Sequence, residues 1–148
     1  MNYSGSNRRS GRYEDAPKID VSLIDFSAKD SRLFDEVANQ SAQVISGSRN
    51  ANKSTQLRKF YDEVVIWDQK IRQNPEKYTE YLPLVKMLNA KVAYAKGRNL
   101  VDDNFLTLMR HCISQLDDND KQSLYTFKLF LEAVMGFHKM HESNKSKR

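Results

Sequence analysis

The chain has 148 residues, of which 39% are hydrophobic and 29% charged, and its formal net charge is +5. This length suits one compact domain with tails. Cys112 is the only cysteine, which excludes an intrachain disulfide, and no stretch reaches the ~18 consecutive apolar residues of a membrane span. Because the N-terminus also lacks the apolar region of a signal peptide, we expect a cytoplasmic protein with no membrane partner.

The positive charge is concentrated in the middle of the chain. Residues 1–52 carry seven positive and seven negative groups, residues 53–98 carry ten and five, and residues 99–142 carry four and seven. The central block therefore has a net charge of +5 and the block after it −3, while residues 143–148 add +3. This asymmetry predicts a polyanionic partner on one face, and it would also suit the stacking of identical copies through unlike faces.

The N-terminal 28 residues predict a flexible tail. Residues 1–17 are mostly small and polar with almost nothing to bury, and we interpret their arginines as part of a solvated tail rather than as nucleic-acid contacts. Ile19, Val21 and Leu23 alternate with polar residues. That alternation predicts a short extended segment that lies against the domain.

The following residues predict two helices separated by a loop. Asp30 can cap a helix of about 31–45 that Gly47 closes, and a polar loop covers 46–53. The strongest helical pattern runs from about 55 to 73. Its apolar residues recur three and four positions apart, as expected for one buried face, and are Leu57, Phe60, Val64, Trp67 and Ile71.

Two prolines divide the next stretch. Asn74 and Pro75 begin a short helix that ends near Tyr81. Pro83 begins another that ends at Gly97, with an apolar stripe of Leu84, Leu88, Val92 and Ala95.

The remaining residues predict two more helices. Asp102 or Asp103 begins the first of them, and the acidic run 117–120 ends it. The last helix runs from Lys121 to about His141.

Together these elements predict an all-α fold, a compact bundle of five to six helices with flexible N- and C-terminal tails. The expected organisation is a flexible N-terminal tail at 1–28, a helical domain at 29–142 and a disordered C-terminal tail at 143–148. The predicted core consists of Phe60, Val64, Trp67, Leu88, Val92, Phe105, Met109, Phe127 and Leu131.

Two of the predicted helices carry cations at spacings that suit a polyanion. Lys91 and Arg98 are seven positions apart, so they project in nearly the same direction, about 10 Å apart along the axis. Long cationic side chains at such intervals can follow a phosphate backbone without reading bases. We therefore predict a nucleic-acid-binding surface composed of Lys53, Arg58, Lys59, Lys86, Lys91, Lys96 and Arg98. A solvated surface without a ligand is the alternative.

Two tyrosines near these cations are candidates for stacking on bases, namely Tyr61 and Tyr94. We favour the simpler interpretation of both as tyrosines at the edge of the core.

Catalytic and metal sites find little support in the residue spacings. His111 and Cys112 project about 100° apart, and His138 and His141 alone do not make a zinc site. The acidic run 117–120 lacks the glycine and the terminal glutamate of a calcium loop, and no glycine-rich phosphate loop is present. We therefore predict no enzymatic activity, no metal and no cofactor, and we interpret Cys112 as a buried, inert thiol.

Three segments resemble the small helical subunit of type III-A (Csm) CRISPR effector complexes. They are residues 56–64 (QLRKFYDEV), 86–98 (KMLNAKVAYAKGR) and 130–139 (FLEAVMGFHK), within a resemblance that covers roughly residues 30–140. The resemblance implies a non-catalytic subunit that stacks in several copies, contacts guide RNA and target RNA, and acts in antiviral defence. Its implied protein partners are the backbone subunits, which cut target RNA, the large subunit, and further copies of itself.

The resemblance also implies RNA-binding roles for Arg58, Lys59, Lys91 and Arg98, because these four lie inside the matching segments. Lys53, Lys86 and Lys96 rest on the charge pattern alone. Two other functions remain open: a stand-alone RNA- or DNA-binding helical protein that ignores sequence, and a purely structural adaptor.

Overall fold

The computed structural model describes residues 17–146, so the predictions for residues 1–16 and 147–148 lie outside the described part. Residues 17–146 form six α-helices and no β-strand, which confirms the predicted all-α bundle. A π-helical turn at Leu33–Val37 leads into the first helix, and a 3-10 turn at Pro75–Lys77 precedes the third. The helices are α1 (Ala38–Ser46), α2 (Ser54–Gln73), α3 (Tyr78–Lys86), α4 (Leu88–Gly97), α5 (Asp103–Ser114) and α6 (Gln122–Ser146).

The longest helix, α6, forms the centre of the bundle. It spans 25 residues, and both α1 and α2 pack along it. Apolar residues recur three and four positions apart on its inner face, and the buried ones are Leu124, Phe127, Phe130, Leu131 and Val134. Each such side chain contributes roughly 1.5–3 kcal/mol through burial. The fold is therefore organised around a helix close to the C-terminus.

Residues 17–28 were expected in the flexible tail, with an extended segment around residues 19–23 against the domain, and they pack against the helical domain. The backbone N–H of Phe26 donates to Gln115 Oε1 at 2.7 Å, and Ile24 is only 1% exposed. The ring centroid of Phe26 lies 6.0 Å from that of Phe127 and 5.9 Å from that of Phe130. The segment contributes apolar side chains to the core, so the packed domain begins before residue 28.

The C-terminal end also extends further than expected. The sequence predicts a helical end near His141 and a disordered tail from 143, whereas α6 continues to Ser146. Lys145 Nζ donates to the carbonyl oxygens of Ser46 at 2.8 Å and Ser48 at 3.0 Å. A cation at the C-terminal end of α1 satisfies carbonyl groups there, which ties the last turn of α6 to the domain.

Local capping chemistry explains some helix ends but not all of them. Asp102 accepts a hydrogen bond from Phe105 N at 3.0 Å, as expected of the residue before a helix. Pro83 lies inside α3 rather than at the start of a helix, and the break comes at Met87. Proline removes only the hydrogen bond to the Thr79 carbonyl, and both residues are exposed, so water can replace that bond.

Eight of the nine predicted core residues are buried, and Trp67 is the exception. Trp67 lies partly buried at the rim, with its ring centroid 5.5 Å from that of Tyr81 and 4.8 Å from Lys70 Nζ. Leu84, predicted in the apolar stripe, is 47% exposed because the break at Met87 separates it from α4. The apolar periodicity therefore predicted the buried residues correctly except at Trp67 and Leu84.

Candidate nucleic-acid interface

Two helices that carry predicted cations, α2 and α4, run in opposite directions beside each other. The Lys91 ammonium near the start of α4 pairs with the Glu63 carboxylate in the middle of α2. Past the other end of α4, the Leu100 carbonyl accepts a hydrogen bond from Asn52 N, just before α2, at 3.0 Å. Contacts in this order require an antiparallel arrangement.

One flank of this pair carries three of the predicted cations, Lys59, Lys91 and Arg98, which we call the α2–α4 surface. Lys59 precedes Glu63 by one turn on the same flank of α2, and Glu63 pairs with Lys91. Arg98, the residue immediately after α4, follows Lys91 by seven positions, and its contact with the Tyr94 ring holds it on the same face. All three side chains are exposed.

Tyr94 adds an exposed ring to the α2–α4 surface. It is 68% exposed, and the Arg98 guanidinium carbon lies 5.8 Å from the ring centroid. Tyr94 is therefore not the core-edge residue that we favoured from sequence. Tyr61 fits that interpretation, because it is partly buried and its hydroxyl donates to Glu132 Oε1 at 2.8 Å. Burial, and next the hydrogen bond to Glu132, raises the pKa of Tyr61 to about 12.

Arg58 lies on the opposite flank of α2, beside α6. Consecutive helical residues project about 100° apart, so Arg58 and Lys59 face different neighbours. Arg58 Nε is 3.9 Å from Asp62 Oδ1, and the side chain lines a groove of about 440 Å³ with Tyr61, Met135 and Gly136. The seven predicted residues therefore do not form one continuous surface.

The other three predicted residues are also distributed among different places. Lys96 Nζ lies 3.6 Å from Asp103 Oδ1, which directs it towards α5. Lys86 is the exposed last residue of α3. Lys53 immediately precedes α2 and lines a cavity there.

This cavity, which we call the α2 cavity, has a volume of about 580 Å³ and lies between the start of α2 and the end of α6. Its charged lining consists of four cations and one carboxylate, namely Arg49, Lys53, Lys139, Lys145 and Glu142. Sequence reasoning identified only Lys53, because the other cations lie in a polar loop or near the end of the last helix. Lys139 and Lys145 come close to Lys53 only because α6 packs against α2, so their sequence pattern did not predict a site.

Glu142 caps α2 from the neighbouring helix. Its two carboxylate oxygens accept hydrogen bonds from Ser54 N at 3.0 Å and from Ser54 Oγ at 2.8 Å. Burial acts to raise the pKa of Glu142, but the hydrogen bonds from Ser54, together with His138 and Lys139, outweigh it and hold the pKa below its ordinary value. An oxyanion at the positive end of a helix is stabilised in this way.

His138 borders the same cavity and is only 1% exposed. Burial lowers its pKa below the ordinary 6.5, and His141 and Lys139 act in the same direction. The Glu142 carboxylate and the Asn52 backbone oppose the shift without cancelling it. The folded chain therefore holds His138 as the neutral imidazole at neutral pH.

This lowered pKa predicts a pH dependence of stability. At His138, the unfolded chain binds a proton more readily than the folded one. The contribution of His138 to the free energy of unfolding is therefore complete above pH 6.5 and declines as the pH falls below it. We expect the difference in unfolding free energy between the wild type and His138→Gln to shrink from pH 7.5 to pH 5.5. Urea denaturation at both pH values measures it, and a constant difference would contradict the prediction.

The described residues contain neither a metal site nor a membrane span. Between residues 17 and 146, no three His, Cys, Asp or Glu side chains are grouped so that they could hold a metal ion. Over the same range, every helix is too short or too polar to cross a bilayer. Cys112 is fully buried, and burial raises the pKa of its thiol far above the ordinary value.

Comparison with known proteins assigns the family. Neither the curated proteins nor the solved structures that were compared yield a match. The family model described as Csm2 Type III-A matches residues 28–144, which is most of the chain and includes all six helices except the last two residues of α6. The chain therefore belongs to the Csm2 Type III-A family, the small subunit of type III-A CRISPR complexes.

Proposed function

We propose that this chain is a non-catalytic subunit of a type III-A CRISPR interference complex, where it contacts the backbone of the guide RNA and target RNA in antiviral defence in the cytoplasm. The observation that carries the proposal is the α2–α4 surface, in which Lys59, Lys91 and Arg98 lie on two neighbouring segments that an ion pair joins, inside the family match. Guide and target read sequence by pairing, so the protein needs only to hold their phosphates.

Tyr94 supports the same function from the centre of this surface. Its exposed ring beside Arg98 offers a face on which a base can stack, and stacking on aromatic rings tolerates any base. A surface of cations with an open aromatic ring suits a single strand or an unpaired nucleotide better than a small anion.

Assembly with other subunits is the second part of the proposal. Large apolar side chains stay exposed on α2, α3 and the break before α4, namely Ile66, Leu84 and Met87. Exposed apolar residues near polar ones suit a protein partner, which we infer to be a backbone or large subunit. The basic centre and the acidic block after it further suit the stacking of several copies.

These exposed apolar residues also favour the alternative function of a purely structural adaptor. An adaptor would bind its protein partners through Ile66, Leu84 and Met87 but would be indifferent to RNA. A stand-alone nucleic-acid-binding protein would use the cations without the apolar residues. A measurement of RNA retention by the assembled complex distinguishes the structural adaptor from the proposed function.

The test replaces two cations of the α2–α4 surface without disturbing the ion pair beneath them. Lys91 is kept because its removal would leave Glu63 unpaired, and Glu63 Oε2 is already buried with no hydrogen bond from residues 17–146. We expect Lys59→Gln/Arg98→Gln to weaken retention of target RNA by about tenfold at physiological salt. The slope of log affinity against log salt should flatten by about 0.7 for each phosphate of a single strand that the variant no longer neutralises.

The measurement titrates assembled complexes with target RNA at three salt concentrations. The matched control is Lys77→Gln/Lys121→Gln, which removes the same charge from exposed lysines at the far end of α2. The decrease in affinity should be equal for unrelated target sequences, because phosphate contacts carry no base information. Equal affinity and equal slope in the test and control variants, with both complexes fully assembled, would favour the adaptor.

A further inference from the structure

The α2 cavity has the lining of an anion site. Beyond Arg49, Lys53, Lys139 and Lys145, it presents hydroxyl groups from the loop and from the first turn of α2. Among the described residues that line it, Glu142 is the only acidic one, and its carboxylate accepts from Ser54 and pairs with Lys139 at 3.5 Å. The net charge of the side chains around the cavity is therefore three positive units, four cations less one carboxylate.

The start of α2 adds partial positive charge to the cavity. The helix is 20 residues long, and the preceding residue, Lys53, makes no side-chain capping hydrogen bond. In the first turn, the backbone N–H of Ser54 donates to Glu142, and those of Gln56 and Leu57 donate to the Lys53 carbonyl, whereas that of Thr55 has no such bond within residues 17–146. The first turn of a long helix favours negative charge near its unsatisfied N–H groups.

His138 is an independent observation that points to a ligand. Its ring borders the cavity and is 1% exposed, and neither ring nitrogen makes a hydrogen bond of normal geometry with any residue between 17 and 146. The Asn52 backbone makes a hydrogen bond to the ring that falls outside normal geometry, and it can serve only one of the two nitrogens. A buried ring nitrogen without a partner is costly unless something else supplies one.

We propose that the α2 cavity binds a phosphate group, and that RNA supplies this group in the assembled complex. The source of the phosphate rests on the proposed function, whereas the site itself does not. A phosphate oxygen can accept from a His138 ring N–H, while the cations that line the cavity neutralise the remaining charge. The site lies on the α6 side of α2, so it is separate from the α2–α4 surface.

The experiment titrates the full-length protein with inorganic phosphate at constant ionic strength. We expect the imidazole NMR signals of His138, assigned by their disappearance in His138→Gln, to shift and saturate. Arg49→Gln/Lys139→Gln should weaken phosphate binding by at least about tenfold, because both changes remove charged donors. Lys77→Gln/Lys121→Gln is again the control of equal charge, and thermal unfolding by circular dichroism confirms that each variant folds.

Two RNA arms then identify the source of the phosphate. Single-stranded RNA with a 5′-hydroxyl carries only internal phosphodiesters, whereas the same RNA with a 5′-phosphate adds a terminal group. Displacement of inorganic phosphate by both RNAs would assign a backbone phosphate, and displacement by the second alone would assign the 5′ end. Failure of both to displace it would overturn RNA as the source.

The outcome is distinguishable from failure of the proposed function. Lys59→Gln/Arg98→Gln should leave the phosphate titration unchanged, since those residues do not line the α2 cavity. If the His138 signals do not respond to phosphate, or if the Arg49/Lys139 variant binds as tightly as the control, the cavity proposal is overturned. RNA binding through the α2–α4 surface would then still stand on its own test.

Discussion

Replacement of Phe127 by alanine should lower the free energy of unfolding by about 3–5 kcal/mol, the range for large aromatic residues in a closed core. Phe127 is fully buried on α6 and stacks with Phe26 at a centroid distance of 6.0 Å. Its removal would leave a cavity between the central helix and the N-terminal segment. Those elements are fixed by other contacts, so the cavity cannot close completely.

Trp67→Ala is the informative comparison, because the sequence pattern predicts it as an equally severe change. Trp67 is partly buried at the rim against Tyr81, so solvent can occupy part of the space left by its removal. We expect a decrease in stability of roughly 1–3 kcal/mol, below that of Phe127→Ala. Urea denaturation of both variants measures the difference. A larger decrease for Trp67→Ala would show that α2 and α3 pack more closely than the structure has them.

Asn52 is expected to be the most sensitive polar residue of the domain. It is 2% exposed, and its side chain joins two helices: Nδ2 donates to the Ile45 carbonyl at 3.0 Å, and Oδ1 accepts from Asp102 N at 3.0 Å. Its φ of 59° lies in the left-handed region, which asparagine tolerates better than most residues. We expect Asn52→Ala to cost about 2–4 kcal/mol, because it leaves buried groups unpaired and retains the strained backbone.

Asn52→Gly separates the two contributions. Glycine removes the same hydrogen bonds but adopts the left-handed conformation freely. The loss of stability should therefore be roughly 1 kcal/mol smaller for Asn52→Gly than for Asn52→Ala. Asn50→Ala is the control, since Asn50 lies exposed in the same loop. Thermal or urea unfolding of the three variants provides the measurement. If Asn50→Ala were as destabilising as Asn52→Ala, the loop as a whole rather than the Asn52 bridge would stabilise the domain.

Some parts of the candidate sites could be predicted from the sequence and others could not. The seven-residue spacing of Lys91 and Arg98 was enough to predict that they lie on one face, although α4 ends one residue before Arg98. Arg58 and Lys59 could not be assigned to a surface, because the pattern does not say which helix packs on each flank of α2. The α2 cavity joins residues of the loop before α2 to the end of α6, and the hydrogen bond from Ser54 to Glu142 spans 88 positions.

Local patterns in the sequence were enough to predict the helical content, most of the buried face of α2, the cap at Asp102 and the family. These properties depend on residues within a few turns of one another, where apolar periodicity and capping act directly. The tertiary structure was needed to show that Ile24 and Phe26 join the core, that Trp67 lies at the rim and that the cations form separate groups. Those outcomes depend on which helices meet, and that is set by packing between distant segments rather than by any local pattern.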